Sequence, residues 1–256
     1  MAAATLADDS KGRQSNGEPL PGIDRIEVIN LDRRPDRLQA FFRKLPPGIE
    51  RGRIRRRRAV DGRELAPTPE LRHLFRDNDF GYRRGVIACA LSHRQLWREL
   101  AAEASGPATV LVLEDDVLFV PDFYRRWCER YVADLPSTFD LAYLGGPSVT
   151  LDEAETLETT GGEIDLAPAD YIAEPAKGSF GVPLRSQFGT FAYLVSRAGA
   201  ERLCQIVDEA GMQRAVDWFL IDQWPRLAVY TATPLLCWGI RNHASDVQQN
   251  YAGLFS

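Results

Sequence analysis

Thr109-Val110-Leu111-Val112-Leu113-Glu114-Asp115-Asp116-Val117 is an apolar run of strand type that ends in three consecutive carboxylates. An uninterrupted apolar run of this length reads as a buried strand of an α/β sheet, bounded where the charge begins. Carboxylates are almost never buried unpaired. A core strand that delivers Glu-Asp-Asp to its end therefore needs a cation, a hydrogen-bonding ligand or solvent there. Open α/β sheets bind ligands in the crevice beyond the carboxyl ends of their strands, where these side chains fall. A divalent metal carrying a phosphate ester satisfies all three carboxylates at once; a solvated loop with a helix cap is the plainer alternative.

Outward from this strand, apolar strand-like runs alternate with segments of helical period, the pattern of a sheet with crossover helices. Further strands are expected at 25–31, 54–60, 140–144, 188–196 and 227–233, and helices at 34–44, 85–104, 122–132, 197–210 and 216–224. Pro35 suits a first helical turn, Pro46-Pro47 and Pro225 stop helices, and Ser196 reads as an N-cap. Within 85–104, Val86, Cys89, Ala90, His93, Leu96, Trp97 and Leu100 recur at spacings of three and four and form one face. Residues 148–184 are polar, contain Gly and Pro, and lack a clear period, so a variable insertion or mobile flap over a substrate is expected. The fold class expected is α/β, a single domain over 23–256 with a mixed, mainly parallel sheet and helices on both faces. A polar, disordered tail is expected over 1–22.

Composition narrows the function. The chain has 256 residues, 45% of them hydrophobic, which suffices for one large domain. A net charge of -5 argues against a general attraction to nucleic acid or anionic membrane. Cys89, Cys128, Cys204 and Cys237 form no CxxC pair and read as reduced core residues. The first 22 residues hold no apolar core for a signal peptide, and no run approaches the roughly 18 apolar residues of a membrane span. A cytoplasmic location is expected. Arg51-Gly52-Arg53-Ile54-Arg55-Arg56-Arg57-Arg58 carries six arginines in eight residues and could be a nucleic-acid arm. Aromatic residues are not interleaved, and the tract leads straight into Ala59-Val60, so a solvated strand edge or a patch for an anionic acceptor is favoured. No Walker A, GxGxxG or GxSxG pattern supports an ATPase, dinucleotide oxidoreductase or serine hydrolase.

Several blocks together carry a family resemblance. They are Val28-Ile29-Asn30-Leu31-Asp32-Arg33-Arg34-Pro35-Asp36-Arg37, Ala59-Val60-Asp61-Gly62, Gly85-Val86-Ile87-Ala88-Cys89-Ala90-Leu91-Ser92-His93 and Leu113-Glu114-Asp115-Asp116, followed by Gly189-Thr190-Phe191-Ala192-Tyr193-Leu194-Val195-Ser196 and Val216-Asp217. In this order, over residues 25 to 247, the chain resembles glycosyltransferase family 25, which includes bacterial lipopolysaccharide galactosyltransferases and collagen hydroxylysine galactosyltransferases. The resemblance implies a GT-A fold, a nucleotide-sugar donor, a Mn²⁺ or Mg²⁺ cofactor and inversion at the anomeric carbon. The expected activity is transfer of a hexose, galactose or glucose, from a UDP-sugar to a saccharide or hydroxylated-peptide acceptor. The alternatives are an inactive transferase-like binding module and, behind it, the arginine arm as a nucleic-acid binder.

The resemblance also assigns roles. Asp116 is expected to touch the metal, with Glu114 or Asp115 holding the ribose or completing the shell. If the strand continues, Glu114 and Asp116 share a side and Asp115 faces away. Asp217 is expected to be the catalytic base, with Asp222 one helical turn further on as the second choice; a plain N-cap is the structural alternative for Asp217. From their place at the ends of the first two strands, Asn30, Arg33 and Arg37 are expected at the donor, the arginines on phosphate, and Asp61 on the nucleobase imide; a solvated helix-start residue is the alternative for Arg33 and an ordinary turn residue for Asp61. His243 is either a further metal ligand or an exposed loop histidine. His93 is either a satisfied core histidine or part of the site wall, and His73 is a surface residue. The acceptor groove is expected to involve 148–184 and Gly189-Thr190.

Overall fold

A computed structural model of the protein describes residues 20–105, 108–149, 172–174, 178–184, 189–240, 246–247 and 253–255. Eight strands form one mixed sheet. In spatial order they are β2 (Ile54–Arg58), β1 (Arg25–Asn30), β3 (Thr109–Glu114), β9 (Ala192–Ser196), β5 (Leu141–Tyr143), β10 (Val229–Ala232), β8 (Phe180–Pro183) and β7 (Ile172–Glu174). The pairs β1/β2, β1/β3 and β5/β10 are parallel. Strands β9 and β8 run against their neighbours, so the sheet is mixed as expected but not mainly parallel: four of its seven pairs are antiparallel, and its parallel character is concentrated around β1. A second sheet joins β4 (Val117–Phe119), β11 (Cys237–Ile240) and β6 (Gly145–Val149).

Helices cover both faces of the large sheet. On one side lie α3 (Arg84–Ala102), α5 (Arg197–Ala210) and α6 (Val216–Gln223), whose Trp97, Leu203 and Phe219 pack against Val110 and Val112. On the other lie α1 (Pro35–Arg43) and α4 (Phe123–Arg126), the latter running on through a π-helical stretch to Asp134; Phe41 and Trp127 there pack against Leu111 and Leu113. Successive β3 residues thus enter opposite cores, which is why the strand reads as continuously apolar. Ser196 caps α5 as expected, its hydroxyl accepting from Gly199 N–H at 2.9 Å.

Several expectations needed correction. The strand at 109–117 stops at Glu114; Asp115 and Asp116 form a turn, and Val117 opens β4 in the other sheet. The interval 148–184 is not without regular structure, because β6 ends in it and β7 and β8 extend the large sheet from it. Strands of three or four residues are too short to display a period. A short helix α2 (Pro69–Leu74) and strand β11 were not anticipated. Of the four free cysteines only Cys237 is fully buried; Cys89, Cys128 and Cys204 are partly so. Leu20 and Ile23 already belong to the core. Among the described residues no helix is long and apolar enough to cross a membrane.

The arginine tract is the edge strand β2 with the turn before it, and its charges are answered locally. Arg57 is buried, donating to the fully buried Glu27 of β1 and forming a fork on Glu99 at 2.9 and 2.8 Å. Arg56 reaches Asn30 and Asp32, Arg58 reaches Asp32, and Arg51 stacks on Phe42. Arg25 Nε also lies 2.7 Å from Glu27. This pairing leaves little free charge for a nucleic-acid backbone and favours the strand-edge reading. Removing one member of a buried ion pair strands the other. Glu27→Gln is therefore expected to lower stability by about 3 kcal/mol in chemical denaturation, while Arg55→Ala, at a 57% exposed side chain, should stay within about 0.5 kcal/mol.

Candidate active site

Strand β1 has parallel neighbours on both sides, reached through α1 in one case and α3 in the other, so the carboxyl ends of β2, β1 and β3 converge. Beyond them opens a cleft of about 680 Å³, counted to its mouth. This is the switch-point position at which α/β sheets bind ligands. After β1 come Asn30, Arg33 and Arg37, after β2 Ala59 and Val60, and after β3 Glu114, Asp115 and Asp116; Cys89, Ser92 and His93 of α3 form a wall, and Asp246 and Val247 close one side. Two glycines of the quoted blocks let these parts meet. A Cβ on Gly62 would lie 2.7 Å from Arg84 O, and one on Gly85 would lie 2.9 Å from Val247 O. Ser92 fastens the end of β2 to α3, accepting from Val60 N–H at 2.9 Å and donating to Ala88 O at 2.8 Å.

Asn30 is buried where the strand ends meet. Its amide nitrogen donates to Asp115 at 2.6 Å and to Arg34 O at 3.0 Å, while its oxygen accepts from Arg56 at 3.0 Å. Arg37 pairs with Asp115 and, at 2.9 Å, with Asp116. Asp115 therefore does not face away from Asp116: the strand has already ended, and both carboxylates turn to the same guanidinium. Arg33 bridges Asp61 at 2.7 Å and Asp246 at 2.6 Å, and Arg34 reaches Asp246 at 2.6 Å. Asp61 also accepts from Arg63 N–H at 2.9 Å, so in this structure it anchors Arg33 and caps a 3₁₀ turn.

The acidic cluster is under-compensated. Burial, then the charge of Glu114, pushes Asp116 up to about 7 despite Arg37. Its Oδ1 is buried without a hydrogen-bond partner. Burial likewise raises Asp115, against the pull of Arg37 and Asn30. Burial also opposes ionisation of Glu114, but His93, Thr190 and Arg37 together hold its carboxyl below the usual range. An oxygen-rich site short of positive charge, with a buried lone pair unused, fits a hard divalent cation.

His93 is fully buried, as a core histidine would be, and it also lines the cleft. Its Nδ1 lies 2.9 Å from the Tyr193 hydroxyl, which accepts from Trp97 Nε1–H at 3.1 Å, and its Nε2 lies 3.6 Å from Glu114. Asp217 sits half-buried in the first turn of α6 and is not its N-cap, a position held by Ala215. Burial and then Glu114 raise its pKa, but Asp217 is not among the residues that line the cleft. Asp222 is not brought to the cleft: it is exposed and paired with Arg214 at 3.1 Å. His73 is an exposed residue of α2. His243 lies outside the described residues. Sequence reasoning missed Asp246 and did not give Thr190, which donates to Glu114, this role. A lone Asp near the C-terminus carries no local signal, since only the fold brings it to Arg33 and Arg34.

Residues 24–220 match the family described as Glycosyltransferase family 25 (LPS biosynthesis protein). Among curated proteins, the chain is 33% identical over 241 residues to the human "Inactive glycosyltransferase 25 family member 3", covering 84% of this chain and 36% of that protein. The rat "Probable inactive glycosyltransferase 25 family member 3" is 32% identical over 240 residues, covering 84% of this chain and 38% of the relative. The mouse "Procollagen galactosyltransferase 2" is 30% identical over 212 residues, covering 78% and 30% respectively. The chain thus spans well under half the length of these relatives. With residues from four of the six blocks lining one cleft, the chain belongs to glycosyltransferase family 25.

Proposed function

We propose that this chain is a GT-A-type, metal-dependent, inverting hexosyltransferase using a UDP-sugar, with a saccharide or hydroxylated peptide as acceptor. The observation that carries the reading is the turn Asp115-Asp116 at the end of β3. There, acid with an unused buried oxygen, gripped by Arg37, lines the same cleft as Arg33. Asp116, with Glu114 beside it, would hold Mn²⁺ or Mg²⁺, which when bound supplies Lewis-acid neutralisation of the diphosphate leaving group. Arg33 and Arg37 offer forked donors to the diphosphate once they leave their present carboxylate partners. Asn30 and Thr190 fix the carboxylates, so these are already oriented when the donor arrives. Asp217, whose raised pKa makes it a stronger base, would take the proton from the acceptor hydroxyl as that oxygen attacks the anomeric carbon.

A second reading has specific support, because relatives 32% and 33% identical are named inactive. In it the cleft binds a nucleotide sugar without transferring it. Donor binding and turnover separate the two readings, and each is open to direct measurement.

Calorimetric titration of UDP with and without Mn²⁺ is expected to show manganese-dependent binding that Asp116→Asn abolishes. Retention of full binding in that variant would overturn the metal assignment. The same variant should be more stable than wild type in the ion-free state. Asp116 rises from its ordinary 3.8 to about 7 on folding, so its ionisation is disfavoured in the native state. The gain is absent below about pH 4, grows between the two values and is complete above about pH 7; thermal melts across that range check it. Asp217→Asn should keep UDP affinity and reduce turnover of a competent donor by about a hundredfold or more. Equal loss of binding and turnover would make Asp217 structural.

A further inference from the structure

The structure assigns a second cation position, for a zinc-class ion, to Cys89, His93 and Glu114 at the inner wall of the cleft. Cys89 and His93 are one helical turn apart on α3 and so share a face, and Glu114 meets them from the end of β3. One donor atom from each, the thiol sulfur, a ring nitrogen and a carboxylate oxygen, lies within 4.8 Å of the other two. The ring nitrogen turned toward Glu114, His93 Nε2, is buried and has no hydrogen-bond partner, and its distance of 3.6 Å from Glu114 is too long for one. On the far side of the ring Nδ1 lies 2.9 Å from the Tyr193 hydroxyl, whose oxygen accepts from Trp97 and has a second lone pair for Nδ1–H; that tautomer leaves Nε2 as the ligating nitrogen.

The donor set decides the ion. Sulfur, imidazole and carboxylate suit Zn²⁺, Co²⁺ or Cd²⁺, whereas Mn²⁺ and Mg²⁺ favour the oxygens at Asp116. Tetrahedral zinc places sulfur and nitrogen donors about 3.5 Å apart, so these groups need to close by about 1 Å. All three residues line the cleft, which leaves the remaining coordination position open to water or ligand. Burial, then Glu114 and Asp217, raises the Cys89 thiol well above its ordinary value, so the ion-free protein carries S–H. As the sulfur–metal bond forms, that proton leaves to solvent. Binding at this position stands apart from the sugar-transfer reading. Its consequence for transfer does rest on that reading: Glu114 is shared, so a zinc-class ion draws it from Asp116 and inhibits.

The test is titration of Co²⁺ into the reduced full chain, followed by absorption. Wild type should develop a sulfur-to-cobalt charge-transfer band and the intense visible bands of four-coordinate cobalt, saturating at one equivalent. Cys89→Ser should lose them, while Cys204→Ser and Asp116→Asn keep them. In wild type, equimolar Zn²⁺ should abolish the bands and equimolar Mn²⁺ should not, an arm that needs no variant to fold. Absence of bands in wild type, their survival in Cys89→Ser, their loss in Asp116→Asn or their displacement by equimolar Mn²⁺ would each overturn the site. Manganese-dependent UDP binding is read separately by calorimetry, so failure of the transferase reading leaves the cobalt result intact.

Discussion

The cleft depends on the way one buried amide ties strand ends together. Asn30 closes β1, and with three hydrogen bonds it holds the start of α1, an arginine of β2 and the acidic turn after β3. No hydrophobic contact could fix that geometry, because the groups to be positioned are charged and lie where the strand ladder has ended. A buried amide can, since leaving any of its donors or acceptors unpaired is costly. Arg37 completes the arrangement by gripping Asp115 and Asp116 together. The acids that a ligand or cation would use are thereby held in an orderly, part-neutralised state. Burial, with the charge of Glu114 behind it, still outweighs Arg37 at Asp116.

Charge elsewhere is handled differently. Along β2 each arginine after Ile54 meets acid from β1, the following loop or α3, so a tract that looks like an isolated basic run is half of a two-sided ion-pair lattice. Around Asp246, by contrast, Arg33 and Arg34 converge on a single carboxylate from a distant part of the chain. The first arrangement serves the sheet edge; the second sits on the cleft wall, where the same arginines could answer a different anion.

Much of this was legible in the sequence for a physical reason. Strand β3 is buried on both faces and helix α3 on one, so their periodicities are strong, and the carboxylates mark where the strand must end. That Asn30, Arg37, Glu114 and Asp116 line one cleft followed from where strands end. Features made by long-range contact were not legible: the convergence on Asp246, the hydroxyl of Thr190 on Glu114, and the very short strands β7, β8 and β11. Asp222 shows the limit of counting along a helix. Five residues beyond Asp217 is about 1.4 turns, so the two side chains do not share a face, and Asp222 meets Arg214 on the outside. The alternation of Glu114, Asp115 and Asp116 required the strand to continue through them; it ends at Glu114, one residue past the apolar run, and a turn follows.

The central place of β9 in the large sheet ties the two ends of the chain together in time as well as in space. It lies antiparallel between β3 and β5, though it follows them by dozens of residues, and it is the element that joins the β2-β1-β3 half to the β5-β10 half. Until residues 192–196 have emerged from the ribosome, β3 has an open edge with four apolar residues in its middle and the two halves share no ladder. Such long-range closure is slow and leaves sticky strand edges exposed in the meantime. Chains interrupted before that strand would therefore be prone to aggregate rather than to persist as half-sheets.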